Sequence, residues 1–377
     1  MLDESLLDAP DVLTRADSGG LLRGAAESGA RVRNAVRRAR EAGLADLRPE
    51  GRPRAVLVAG HGPAAACVAD TLNALGDGGS AVTLVRPTGA NPTPEALRWS
   101  LPGWAGTMDL LLLLSTSGEE TGLGALADQA YRRGCTVVTV APSGSALAGA
   151  VTDTHGLALP LAPGRPGETP DTGPGTFWAL LTPLLALTDS FGLLTASWSA
   201  LDGLADRLDA VAERCGPAVE TFSNPAKSLA AELSGTLPLL WSEGRLAGAA
   251  ARHGATVLAA QAGRPALAAG LPEALTAHQA LLTGPFAAGG EDAEDDFFRD
   301  RVEEPEPFHT RILLLRESPP GPGSAAIAAR EAAYARETPF SEIEPAQGSG
   351  PLEAVAELIA TLDFASVYLT LSRGDAS

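Results

Sequence analysis

"MDLLLLLSTSGEETG", residues 108–122, decides the fold of the first half of this chain. Its leucine run is too short for a core helix and is closed by turn residues. It therefore reads as a strand, 108–115, buried on both faces. Ser115, Thr116, Ser117 and Gly118 form the turn, and a helix over 119–133 follows. A strand, a hydroxyl-rich turn and a helix make a cradle for anions, because the free N–H groups of a helix N-terminus point at the turn. Glu119 and Glu120 stand where an incoming phosphate needs donors. The same residues also suit plain capping, with Ser117 as N-cap and two acids in the first helical turn.

Working outward, "RAVLVAG" (54–60), "SAVTLVR" (80–86), "CTVVTVA" (135–141) and "HGLALPL" (155–161) read as further strands. Helices are expected after the first strand, ending at Gly76, and across 175–194. Apolar strands alternating with helices imply a parallel doubly wound α/β sheet. Residues 162–175 form a Pro/Gly loop within it, and 12–44 carry apolar positions at helical spacing. A helix from Leu201 to Phe222 leads to a second unit. Strands are expected there at 236–241, 255–260 and 311–317, and helices near 245–253, 271–283, 323–336 and 351–372. The expected organisation is an N-terminal helical segment (1–50) and two αβα units (51–200 and 201–377).

The 377 residues are 45% hydrophobic and 20% charged, enough for two domain cores. A net charge of -18 repels nucleic acid and anionic membrane surfaces, so neither is an expected partner. Cys67, Cys135 and Cys215 have no metal spacing and read as buried thiols in a reducing cytosol. The acidic start is no signal peptide, and no window approaches ~18 uninterrupted apolar residues, so a cytoplasmic protein without a membrane span is expected. Five carboxylates within 291–296 read as a solvated loop, and no metal or cofactor is expected. Lys227 is the only lysine, as the coding bias of a GC-rich genome would give.

Two turns are placed for a ligand at strand carboxyl ends. One is Ser115–Thr121. The other is "GHGPAA", 60–65, where Gly60, His61 and Gly62 approach a ligand but Pro63 lacks an N–H. Together Gly60, His61, Gly62, Ser115, Thr116, Ser117, Gly118 and Thr121 are the candidate ligand-binding residues.

These residues carry a family resemblance. A G-x-G turn, S-x-S-G opening a later helix, "GRPALAAGLPE" (263–273), "FFRDRVEEPEPFHTRILLLRE" and "LDFASVYLTLSRGD" (362–375) resemble the bifunctional phosphoglucose/phosphomannose isomerases. That resemblance implies two SIS (sugar isomerase) domains in tandem, a homodimer, and interconversion of glucose 6-phosphate or mannose 6-phosphate with fructose 6-phosphate.

The site is carried over only in part. The family's G-x-G-G-S turn keeps Gly60 and Gly62, with Pro63 and Ala64 at the other two positions. Its S-x-S-G-N-T motif keeps Ser115, Ser117 and Gly118, with Glu119 and Glu120 at the Asn and Thr positions. A phosphate ~4 Å from Glu120 meets ~2–4 kcal/mol of repulsion. The proton-transfer glutamate aligns with Ala260, and the histidine with Thr276 or, after a two-residue insertion, His278. The family's arginine after the fifth strand has only Arg165 nearby, and its closing lysine has no counterpart before Ser377. Alanine accepts no proton.

Two readings result. One is a tandem-SIS protein of eroded site with a non-catalytic role, binding a carbohydrate derivative or acting as a regulator or scaffold. The other is an active aldose–ketose isomerase in which Glu243, Glu273 and His278 supply relocated acid/base groups. The structural alternative for Glu243 is an N-cap turn, and for Glu273 and His278 a helix surface.

Overall fold

The computed structural model describes residues 2–49, 51–89, 91, 93–162, 164, 173–287 and 308–372. The acidic run at 291–296, Arg165 and most of the Pro/Gly loop lie outside them. The chain divides into two compact units. One is Ser18–Glu213; the other joins Met1–Asp17 to Arg214–Ser377. The N-terminal segment expected as one stretch is thus shared between units. It forms α1 (Glu4–Leu7), α2 (Pro10–Ala16), α3 (Leu21–Ala26) and α4 (Ser28–Glu41). The first two belong to the split unit, where Leu7 and Leu13 are fully buried and Asp8 accepts hydrogen bonds from the Thr221 N–H and hydroxyl.

In the unit Ser18–Glu213, β1 (Ala55–Gly60), β2 (Ala81–Val85), β3 (Asp109–Leu114), β4 (Thr136–Pro142) and β5 (Leu157–Leu161) form one parallel sheet, ordered β2-β1-β3-β4-β5. Every residue of β1 and β3 is buried, as central strands covered on both faces require. Leu57, Ala59, Leu111 and Leu113 share a core with Leu123 and Leu126 of α6 (Thr121–Arg132) and Leu147 and Val151 of α7 (Ala146–Asp153). α5 (Pro63–Leu75) and the wholly apolar-faced α8 (Pro174–Ser190) complete the layers, and α9 (Trp198–Cys215) leads out. The chain runs from β1 outward to β2 and returns to β3 on the other side. Strand order therefore reverses between β1 and β3, where Gly60 pairs with Leu114. That reversal opens a crevice at their carboxyl ends.

In the split unit, β6 (Thr236–Glu243), β7 (Leu267–Gly270), β8 (His309–Arg316) and β9 (Phe340–Ile343) form a parallel sheet ordered β7-β6-β8-β9. Its helices are α10 (Pro225–Leu233), α11 (Arg245–Ala260), the single turn α12 (Ala274–Ala277), α13 (Ala326–Tyr334) and α14 (Pro351–Leu371). The strand expected at 255–260 is instead the end of α11. Ala247, Ala250, Ala251, Gly254, Val257 and Leu258 are buried at helical spacing, and the β-branched Val257 continues that face. A Cβ on Gly254 would lie 2.8 Å from Leu362, so glycine lets α11 approach α14. β7 and β9 have no counterpart among the strands expected from the sequence. "LAAG" is an edge strand without β-branched residues, and "FSEI" is only four residues long.

α14 is long and apolar enough to cross a membrane by length and composition, but 89% of that window is buried inside the protein. It holds its place through polar contacts as well. Asp363 bonds His253 at 2.7 Å, the Tyr368 hydroxyl donates to the Cys215 carbonyl at 2.6 Å, and Ser366 donates to the Val257 carbonyl. All three cysteines are free and buried, and burial pushes the Cys215 thiol up to about 11.

Candidate functional site

The crevice between β1 and β3 is built by glycine. A Cβ on Gly60 would sit 2.7 Å from the Leu114 carbonyl oxygen, so only glycine lets the strands close there. Gly62, at φ +76°, turns the chain into α5, whose first residue is Pro63. Across the crevice, Gly118 has φ +75°, and a Cβ there would lie 2.2 Å from Ser145 Cβ. The cradle loop is thereby packed against the turn that opens α7.

The loop's hydroxyls already have an acceptor. Ser115 Oγ donates to Glu120 Oε2 at 2.5 Å, and Ser117 Oγ donates to Glu120 Oε1 at 3.1 Å. Backbone N–H groups complete the arrangement: Gly118 donates to Ser115 Oγ at 2.5 Å and Glu119 to Ser117 Oγ at 3.2 Å. Glu120 is only 3% exposed. Its carboxylate lies within the cradle, bonded by both serines.

This corrects the expected capping. α6 begins at Thr121, not 119, and its N-cap is Glu120, which makes no side-chain capping bond. Ser117 instead accepts from Glu119 within the turn. Glu119 and Thr121 are exposed, and His61 and Thr116 are partly buried at the rim.

The split unit repeats the device. Gly244, at φ +102°, links β6 to α11, and Glu317, just beyond β8, fills the space beside it. Glu317 accepts from the N–H groups of Leu246 at 2.7 Å and Ala247 at 3.4 Å. Glu243, at the end of β6, accepts from Ser324 Oγ at 2.9 Å and the Ala325 N–H at 2.7 Å, at the start of α13. The two carboxylates satisfy helix N-termini that would otherwise attract an anion.

The three candidate acid/base residues have separate surroundings. Glu243 is engaged as just described. Glu273 is exposed at the N-cap of α12 and makes no side-chain capping bond. His278 is buried, not on a helix surface; its Nδ1 accepts from the Trp241 indole N–H at 2.9 Å. The neutral ring therefore carries its proton on Nε2, and burial lowers its pKa below the usual value. Ala260 is exposed at the C-terminal end of α11. Among the described residues no group of three or more His, Cys, Asp and Glu is arranged to hold a metal ion.

Sequence reasoning passed over two carboxylates. Glu317 becomes visible only once β8 is known to lie beside β6. Asp363 pairs with His253 across 110 positions of sequence, beyond any local spacing.

With this geometry in view, comparison with known proteins finds a family match within the split unit. Residues 222–375 match the family model of the bacterial phospho-glucose isomerase C-terminal SIS domain. The SIS match covers less than half of the chain. Solved structures share the fold over nearly the whole length. The C-terminal domain of glucosamine-fructose-6-phosphate aminotransferase from Francisella tularensis is 12% identical, with a TM-score of 0.60 over 93% of this chain and 95% of that one. Tagatose-6-phosphate ketose/aldose isomerase from Escherichia coli is 15% identical, with a TM-score of 0.55 over 95% and 93%. At such identities the likeness is one of fold. No curated protein matches.

Glu120→Ala leaves the buried Ser115 hydroxyl without its acceptor and lowers unfolding stability by about 1–3 kcal/mol, whereas Glu120→Gln, which keeps one carbonyl oxygen, loses less; urea melts measure both. The buried neutral His278 stabilises the fold fully above its unfolded pKa of about 6.5, and that contribution is lost as pH falls through the lowered folded value. Trp241→Phe removes the donor to Nδ1 and raises the His278 pKa in an NMR titration. An unchanged pKa would show that the indole bond has no part in holding the ring neutral.

Proposed function

We propose that this protein is a phosphosugar-isomerase-like SIS protein whose ancestral phosphate site is closed by its own side chain. On this reading its role is non-catalytic: it binds a carbohydrate derivative without a phosphate at the cradle, or acts through such binding as a regulator. The observation that carries the proposal is the Glu120 carboxylate, held by Ser115 and Ser117. To bind there, a sugar phosphate must break both bonds and either expel a buried carboxylate or sit beside it. The repulsion alone, ~2–4 kcal/mol, weakens binding by about 30- to 700-fold.

Proton transfer lacks its base as well. The position aligned with the family glutamate is Ala260, and Glu243, Glu273 and His278 have no common focus. Glu243 serves a helix N-terminus, Glu273 faces solvent and His278 is bonded to an indole. The parallel αβα plan of Ser18–Glu213 supports a tandem arrangement, with the cradle in one unit and the matched SIS domain in the other.

Coupled assays with fructose 6-phosphate and mannose 6-phosphate, at high protein concentration, test this reading. The expected result is no turnover above background. Turnover that disappears in Glu243→Gln, Glu273→Gln or His278→Asn would overturn it and establish an isomerase with relocated groups.

A further inference from the structure

A second cavity lies in the same unit as the cradle but at the other edge of its sheet. Thr188, Leu193 and Leu194, at and beyond the end of α8, line a small void with Val56 and Val82, the second residues of β1 and β2. The C-terminal end of α8 is therefore at the amino ends of the strands, whereas Ser115 follows the carboxyl end of β3. Beside that end of α8 is a cavity of about 370 Å³, within the range of small-molecule sites. Leu44, Arg48, Ala186, Asp189, Ser190 and Trp198 are among the residues that line it.

The polar groups there are incompletely used. Asp189 Oδ1 accepts from the Ala196 N–H at 2.8 Å, and Oδ2 has no hydrogen-bond partner among the described residues. Ser190 Oγ spends its proton on the Leu187 carbonyl, which leaves it an acceptor. Arg48 donates through Nη1 to the Ala45 and Leu47 carbonyls, and among the described residues its Nη2 has no acceptor. Trp198 is half-buried, with the Arg40 guanidinium stacked on it 4.7 Å from the ring centre; Arg40 does not line the cavity. The cavity thus offers two acceptors, a guanidinium donor and an indole surface.

We infer that this cavity binds an uncharged monosaccharide or polyol. Vicinal hydroxyls both donate and accept, so they match Asp189, Ser190 and Arg48 together, and the C–H face of a sugar ring packs on Trp198. Anions are disfavoured: the cavity adjoins the negative end of α8 and a carboxylate, and the chain carries net charge -18. Arg48 balances Asp189, so the lining has no surplus charge to draw a cation. The inference is independent of the isomerase question, since none of these residues belongs to the cradle.

Isothermal titration of the full chain with D-mannose, D-glucose and D-glucitol tests it, with mannose 6-phosphate and glycine as the anionic and zwitterionic arms. The expected result is saturable binding of at least one neutral ligand, with Kd in the ~mM range or tighter, and no tighter binding of mannose 6-phosphate or glycine. Arg48→Ala, at an exposed side chain, and Asp189→Asn, which can still accept from Ala196, each weaken that binding by about tenfold. Circular dichroism checks that both variants are folded. Absence of saturable binding by every neutral ligand, stronger binding of either charged arm, or affinity unchanged in both variants would overturn the assignment. The coupled isomerase assay is unaffected by any of these outcomes.

Discussion

The two hydrogen bonds from Ser115 and Ser117 to the Glu120 carboxylate are the constraint around which the crevice is organised. A hydroxyl buried at a strand end must find an acceptor, and in an anion cradle that acceptor is the ligand. Here it is supplied three to five residues along the same chain. An internal carboxylate has no association entropy to overcome, so it competes with any external anion at a large advantage. The loop is also held from behind, because Gly118 packs on Ser145. On the proposed reading, occupancy by Glu120 keeps the cradle's shape while closing it to phosphate.

The same physics recurs in the other unit. Parallel sheets direct helix N-termini toward the carboxyl edge of the strands, where unsatisfied N–H groups accumulate. Glu317 answers those of α11 and Glu243 those of α13. Each of these acids is thereby engaged at the N-terminus of a helix.

Much of this was legible in the sequence, and the rest failed for identifiable reasons. All five strands of the first sheet were placed to within a residue or two, because apolar runs such as Leu110–Leu114 lie between strong turn signals. The presence of Glu120 in a hydroxyl-rich turn was also legible, though not the direction in which its side chain turns. That depends on tertiary packing of the loop, which also overrode the expected Ser117 cap. "ATVLAA" misled because alanine-rich segments carry little contrast between helical and strand periods. β7 and β9 are short edge elements, stabilised by neighbours whose order the sequence does not reveal. The joining of Met1–Asp17 to the C-terminal unit rests on contacts such as Asp8 with Thr221, 213 positions apart.

The account is tested most directly by inorganic phosphate binding to the wild-type chain and to the double variant Glu119→Asn/Glu120→Thr, followed by phosphorus NMR. With the carboxylates removed and a hydroxyl placed at position 120, the variant should bind phosphate saturably while the wild type does not. Equal binding by both, or binding by the wild type alone, would contradict the claim that Glu120 closes the cradle.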